Sequence, residues 1–426
     1  MGMSQCTSDK LRQATSEQHH RLQETEFAQA ILAREVDLTA YIGYIRVLAI
    51  IHAALEKGLD SCEHSLVRQV WSDDLRRLPE LLEDNDYYRY QLIPDAPAAN
   101  QAALQAASHI LRLSGENPIA LLGCLYVLAG STKGAQILAP RISQALQLAP
   151  GQGLSYLSRH CDPGVAEWQQ ASSRLDQAVT DSGSIQILTQ AAQELFQYLE
   201  QAFNALWPLK QESMQFTAGA LNPEAGNHPV PQDREDMVAV LRASDRSLAE
   251  LPYYMYRFGD RGRRFADTDG SWLTTLPETC PQSMGQQLDW LGGVLSNRGI
   301  PKLLLARHME ILAQELAAAK PALLQRSRSL QQEAARLRTR MSLCFSRQEL
   351  LNLSRVLALR LNRDKDYACW EAINLLAAAA SDQAEGISGS MQSLLSWLAD
   401  PVHFPQPWVQ AIKDMSLQMQ EKHGTG

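Results

Sequence analysis

Two short segments of this 426-residue chain carry residue types that together can hold a flat ligand. The first is Leu11-Arg12-Gln13-Ala14-Thr15-Ser16-Glu17-Gln18-His19, in which Leu11, Thr15, Gln18, His19 and Leu22 recur at helical spacing and share one face. A neutral imidazole on such a face is a competent metal ligand. The second is Tyr126-Val127-Leu128-Ala129-Gly130-Ser131-Thr132-Lys133-Gly134-Ala135-Gln136, where Gly130 and Gly134 stand one turn apart in an apolar run that otherwise predicts an unbroken helix. Interior glycine costs a helix about 1 kcal/mol relative to alanine, so two on one face signal that something comes close to that backbone. A flat ligand between the histidine and the glycine-opened helix is one reading. Against it stand a helix histidine with no ligand role and helix packing through small residues. His20 lies about 100° around the helix from His19, so the two imidazoles do not reach one metal.

The elements that must position these groups are helices. Long stretches rich in Ala, Leu, Gln, Glu and Arg are broken by short Gly, Pro, Asn and Asp clusters, with no alternating strand pattern. The spacing predicts helices over 7–23, 24–33, 37–58, 99–114, 118–147 and 184–206, among shorter ones. Pro208, Gly219, Pro223, Gly226, Pro229 and Pro231 then fall in a polar setting. This divides the chain into a domain over 7–207, a linker over 208–232 and a second helical domain over 233–426.

The order and spacing of the two segments resemble heme oxygenase, more closely its bacterial biliverdin-producing type, with an L-R-x-x-T-x-x-x-H opening and a G-S-T-x-G-A segment. The resemblance spans about 7–205 and includes Thr39-Ala40-Tyr41, Ala54-Leu55-Glu56, Arg77-Leu78-Pro79-Glu80-Leu81 with Asp84, and Gly153-Leu154-Ser155-Tyr156-Leu157. It implies an all-α heme-oxygenase-like bundle, followed here by an all-helical domain of unknown type. His19 takes the place of the axial ligand of the heme iron. Gly130 and Gly134 become the distal glycines that let a helix lie over the porphyrin. Ser131 stands where animal members carry an aspartate, which leaves proton relay to Ser131, Thr132 or waters. Arg12 is the basic partner for a propionate, with Lys133 as a further cation, because Gln193 and Gln197 occupy the places where the last helix of the family carries positive charge. The resemblance assigns Phe196 to the heme wall, whereas its helical spacing assigns it to the core.

The implied activity is oxidative opening of heme, both substrate and cofactor, by O2 and external electrons to biliverdin, iron and carbon monoxide. The electron donor is a ferredoxin or flavin reductase, and a phytochrome is a bilin acceptor in keeping with the family. A non-catalytic heme or tetrapyrrole carrier, or a sensory adaptor of the same fold, stays open beside it. A di-iron site at Glu17-x-x-His20 lacks the second Glu-x-x-His such a site needs.

Composition narrows the partners. A net charge of −8 argues against broad nucleic-acid binding. Met1-Gly2-Met3-Ser4-Gln5-Cys6 does not read as a leader, and no run is read as spanning a bilayer, so no membrane partner and a cytoplasmic location are expected. Seven cysteines without a C-x-x-C pair read as reduced thiols. In the second half, Tyr253 to Phe265 interleaves Arg257, Arg261, Arg263 and Arg264 with aromatics and is expected to be a loop that either clamps an anion or pairs with Asp260, Asp267 and Asp269. His308 is expected to be structural.

Overall fold

The computed structural model describes residues 6–149, 151–159, 162–321, 324–362 and 367–423; the side chains of 132, 133, 162, 163, 340, 341, 367, 422 and 423 lie outside the description. Every regular element among the described residues is helical, beside one isolated antiparallel bridge between Asp95 and Gln215. The chain divides into two compact units, Met1–Pro229 and Val230–Gly426. The division falls within the stretch read as a linker. Part of that stretch is pinned to the first unit: Gln215 exchanges backbone hydrogen bonds of 2.7 and 3.0 Å with Asp95, whose carboxylate also accepts from Thr217 Oγ1 at 2.5 Å and pairs with buried Arg46 at 2.6 Å.

The first unit contains α1 (Thr7–Ala14), α2 (Ser16–Glu24), α3 (Glu26–Ala33), α4 (Leu38–Asp60), α5 (Ser65–Val70), α6 (Leu78–Tyr88), α7 (Pro97–Glu116), α8 (Leu121–Ala129), α9 (Thr132–Leu146), α10 (Ser155–Arg159), α11 (Asp162–Ala178), α12 (Ser182–Leu206) and α13 (Ala218–Leu221). Asp37 starts α4 by accepting the Ala40 amide at 2.8 Å, which satisfies one of the orphan donors of the first turn. Almost every residue from Ala40 to Leu59 is buried, against α6, α7, α8 and α12. Burial of each Leu or Ile contributes roughly 1.5–3 kcal/mol, so Ile42, Ile45, Ile51, Leu55 and Leu59 make α4 the centre of the unit. By length and composition α4 could cross a bilayer, which corrects the reading that no such run exists; most of it is buried inside the unit, as in a core helix. α12 is amphipathic, and its stripe Ile185, Leu188, Ala192, Leu195, Leu199, Ala202 and Leu206 faces α7 and α8. A Cβ on Gly123 of α8 would lie 2.2 Å from the Leu188 carbonyl oxygen, so α8 and α12 touch backbone to backbone there.

Two predicted helices are broken, and both breaks bear on the site. The stretch 7–23 is interrupted at Thr15 (φ −108°, ψ 4°), where the side-chain hydroxyl bonds back to the Leu11 carbonyl at 2.8 Å and competes with the helix ladder. The stretch 118–147 stops at Ala129 and restarts at Thr132, the two parts bent by 47°. Gly130 closes the first part, and Ser131 Oγ donates to the Leu128 carbonyl at 2.8 Å.

The second unit contains α14 (Arg234–Glu250), α15 (Pro252–Thr275), α16 (Pro281–Asn297), α17 (Lys302–Ala319), α18 (Leu324–Cys344), α19 (Arg347–Arg360), α20 (Tyr367–Ala384), α21 (Ser390–Leu398) and α22 (Gln406–His423). The segment expected as a loop, Tyr253 to Phe265, is helical and kinked at Gly259 (φ 54°, ψ −150°), a conformation at home only in glycine. Its arginines are engaged within the unit. Arg257 donates to the Tyr253 hydroxyl at 2.6 Å and the Ser393 carbonyl at 2.8 Å, Arg261 lies over the Phe265 ring, and Arg263 faces Asp260 and Asp267. His308 is fully enclosed, with Nδ1 2.9 Å from Ser247 Oγ, and burial pushes its pKa down to about 4.

Candidate functional site

On one side of the candidate site stands the pair α1 and α2. The break at Thr15 frees the Ala14 carbonyl, and Gln193 of α12 donates to it at 2.8 Å. Beyond the break the helix resumes, and the His19 ring meets Phe196 of α12 edge to face, with centroids 6.0 Å apart and planes at 90°. His19 remains solvent-accessible, yet its partial burial, and secondarily His20, lower its pKa below the ordinary histidine value. That favours the neutral ring, whose free lone pair is what a metal needs. His20 turns away and lies 3.2 Å from Glu24. Arg21 forms a forked pair with Glu200 of α12, at 2.8 and 2.9 Å, which ties α2 down two residues from His19. Phe196 itself is buried, so it is at once a core residue and the wall of the His19 ring. Phe203 lies in the core against Phe27 and Tyr44.

Arg12 does not share a continuous helix face with His19, as the sequence reading expected, because the break at Thr15 intervenes. Its side chain is 77% exposed and pairs with Asp9 at 2.8 Å.

The other side is the bend between α8 and α9. The expectation that Gly130 and Gly134 lie on one face of an unbroken helix is overturned by that bend, and the two glycines have different surroundings. A Cβ on Gly130 would sit 3.5 Å from the Trp168 ring of α11 and 2.6 Å from the Tyr126 carbonyl. Close packing explains that glycine. A Cβ on Gly134 would meet nothing within 4 Å, so its backbone faces open space. The side chains of Thr132 and Lys133 fall outside the described residues. Tyr126 of α8 packs its ring edge to face against Trp168 of α11, with centroids 5.6 Å apart, and burial raises the pKa of its hydroxyl.

Behind the bend lies a buried polar chain that the sequence reading did not assign. The ring of Tyr156 on α10 stands 5.8 Å from that of His52 on α4. His52 Nδ1 is 3.2 Å from Glu56 Oε1, which also accepts the backbone amides of Arg77 and Leu78 at 2.9 and 2.8 Å. Asp84 of α6 accepts the amides of Ser155 and Tyr156 at 2.7 and 3.0 Å and so caps α10; burial outweighs those bonds and pushes its pKa up to about 6. The stretches around Glu56, Asp84 and Tyr156 were legible only as family-like segments. The signal that would have found His52 is its i, i+4 spacing to Glu56 inside an otherwise apolar helix.

Among the described residues no three His, Cys, Asp or Glu side chains converge on a metal-sized site. Glu17 and His20 are both exposed.

Residues 5–205 match the heme oxygenase family, which bears out the resemblance for the N-terminal part of the chain. A heme oxygenase of Guillardia theta is 26% identical over 211 residues, 47% of this chain and 89% of that protein. Heme oxygenase 1 of Gallus gallus is 24% identical over 254 residues, 58% of this chain and 85% of that protein. Among solved structures, heme oxygenase from Leptospira interrogans shares 21% identity over 47% of this chain and 99% of its own, with a TM-score of 0.42.

Proposed function

We propose that the first unit binds heme between His19 and the open backbone at Gly134 and opens it oxidatively to biliverdin, iron and carbon monoxide. The observation that carries the reading is the presence, in one matched region, of an accessible imidazole on α2 whose pKa is lowered by partial burial and of a glycine at which a Cβ would meet no described atom within 4 Å. Both lie within the region that matches the heme oxygenase family. Heme bound there supplies both the iron at which oxygen is reduced and the macrocycle that is opened. The residues of this chain then have separable tasks. His19 would offer an imidazole lone pair to the heme iron, while Phe196 and the Arg21–Glu200 fork hold the ring and its helix in place. Gly134 admits the porphyrin plane against α9. Ser131 is the hydroxyl at the bend through which a proton can pass. Electrons come from an outside ferredoxin or flavin reductase, oxygen is the co-substrate, and a phytochrome is a client for the bilin, all in the cytoplasm.

The test is a titration of the full chain with hemin, followed by reductant, a ferredoxin–reductase couple and oxygen. A Soret band at one equivalent and conversion to a bilin absorbance are expected, with both lost or strongly altered in His19→Ala. An unaltered Soret band and turnover in that variant would show that the ligand is elsewhere.

A second reading, a heme or tetrapyrrole carrier, is favoured by specific engagements. Gln193 is bonded to Ala14, Arg12 to Asp9, Arg21 to Glu200 and the Ser131 hydroxyl to Leu128. A reduced, oxygen-exposed complex that yields no bilin on prolonged incubation would select the carrier.

A further inference from the structure

We propose that the outer face shared by α19 and α22 of the second unit is a docking surface for a small acidic redox protein of ferredoxin type. The inference rests on the function proposed above for one thing only, that an outside donor supplies the electrons.

Charge is unevenly divided along the chain. Residues 1–229 hold sixteen Lys and Arg against twenty-five Asp and Glu, a net charge of −9, so the first unit repels an acidic protein. Residues 324–362 hold eight Arg, no Lys and two Glu, a net charge of +6. Part of that charge is engaged inside the second unit: Arg326 pairs with Asp236, Arg336 with Asp289 and Glu333, and Arg338 with Glu310. The cations of α19 are not so engaged. Arg355 is exposed and has no ion-pair partner among the described residues. Arg360 reaches α22, with Nη1 3.4 Å from Asp414 and both side chains nearly half exposed. Such a pair contributes little and exchanges readily for another carboxylate. Lys413, beside Asp414, is exposed and also without an ion-pair partner among the described residues.

Apolar side chains stand among these cations. Leu359 is 80% exposed, Leu417 57% and Val356 41%. Val356 and Leu359 lie one turn apart on α19 and Leu417 lies one turn beyond Lys413 on α22, so the Arg360–Asp414 contact sets the two groups side by side. The inward stripe of α19, Leu350, Leu357 and Ala358, is already buried, and the core does not need the outer residues. A single exposed leucine calls for no explanation; three apolar side chains around one weak ion pair, ringed by cations, mark a contact surface.

The residue types select the occupant. A guanidinium grips a carboxylate at two points, and protein interfaces favour Arg over Lys. A lipid surface takes either cation as charge and wants one continuous apolar helix face, whereas here the apolar residues are split between two helices. Electron-transfer encounters use small interfaces, which suits a patch of this size. Docking there offsets the repulsion by the first unit and raises the local concentration of the donor.

The probe is an oxidised acidic two-iron ferredoxin, titrated into the full chain without hemin while NMR follows the methyl groups of Val356, Leu359 and Leu417. Those methyls are expected to shift, and the affinity to fall about tenfold or more between roughly 20 and 200 mM salt. Arg355→Glu with Lys413→Glu should weaken binding at least about tenfold at low salt, and Leu359→Ser about threefold with the salt dependence retained. A matched reversal elsewhere on the unit, Arg242→Glu with Arg328→Glu, should weaken it less than about threefold. Every substituted position is exposed, so parental melting temperatures are expected. Equal weakening by the two double variants would reduce the effect to net charge and overturn the surface. Silent methyls or no ferredoxin binding would overturn it too, as would binding to phosphatidylserine vesicles alone, which would assign the face to a membrane. In the hemin-loaded chain, Arg355→Glu with Lys413→Glu should raise the ferredoxin concentration for half-maximal bilin formation about tenfold. A parent that docks ferredoxin yet takes up no hemin would sink the function proposed above and leave the docking surface standing. A parent that opens hemin, with that half-maximal concentration unchanged in the double variant, would sink the docking surface alone.

Discussion

Three glycines on the α8–α9 path make the sharpest test, because the same substitution, Gly→Ala, is expected to have three outcomes. At Gly134 the missing Cβ would have no heavy atom within 4 Å, and the residue is inside a helix. Alanine there removes a penalty of about 1 kcal/mol, so the free protein should become more stable, by roughly 2–4 °C in the melting temperature of a unit of this size. If the open face receives the porphyrin, the same methyl group enters the ligand's space, and hemin affinity should fall by at least about tenfold, or ~1.4 kcal/mol. At Gly123 a Cβ would lie 2.2 Å from a backbone oxygen and 2.9 Å from the carbonyl carbon of Leu188, neither of which can rotate away. α8 and α12 would have to part, at a cost toward or beyond the upper end of the 1–3 kcal/mol of ordinary overpacking, about 3 kcal/mol. At Gly130 the methyl group would sit 2.6 Å from the Tyr126 carbonyl and 3.5 Å from Trp168, so a loss of stability smaller than at Gly123 is expected. Thermal unfolding of the three free variants, with Soret titration of each, reads both quantities. A Gly134→Ala protein that melts below the parent, or one that binds hemin as tightly as the parent, would refute the assignment of that face.

The remaining predictions concern single side chains. His19→Ala should leave the unfolding free energy of the free protein within about 1 kcal/mol of the parent's, because the ring is accessible, while abolishing the parental Soret band; a large destabilisation would make His19 structural. The pKa of Asp84 is raised from 3.8 to about 6, so its contribution is fully present below its unfolded value and is lost as pH rises through 6. The loss is on the order of 3 kcal/mol between about pH 4 and 7, and Asp84→Asn should flatten the curve there; parallel curves would refute it. His308 has the opposite sign: its pKa is lowered from 6.5 to about 4, so stability present above 6.5 is lost as pH falls toward 4. Roughly 3 kcal/mol of acid sensitivity in the unfolding of the second unit should therefore disappear in His308→Gln, and persistence of the full acid loss would show that another group titrates.

How much of this was legible in the sequence depends on the range of the interaction that decides each feature. Helical periodicity found the elements because amphipathic stripes such as Ile185 to Leu206 are local patterns that burial then enforces. The breaks at Thr15 and Gly130–Ser131 were not found, since a hydroxyl that bonds back to a carbonyl is compatible with continuing a helix as well as ending one; Gln193, 179 residues away, donates to the freed Ala14 carbonyl and stabilises the outcome. The same distance in sequence explains Gln193 itself. Read along its own helix it is a missing cation, whereas in the fold it is the donor to the Ala14 carbonyl at the break between α1 and α2. The glycine segment shows the limit most plainly: sequence spacing treats Gly130 and Gly134 as equivalent, and only the position of Trp168 on α11 separates a packing glycine from one that faces open space. The polar cluster of Glu56, His52 and Tyr156 lies furthest beyond sequence reading, because it is assembled from α4, the turn before α6, and α10. Each member is unremarkable where it stands. Only convergence in a buried interior brings together a helix histidine, the glutamate that accepts the amides of Arg77 and Leu78, and a core tyrosine.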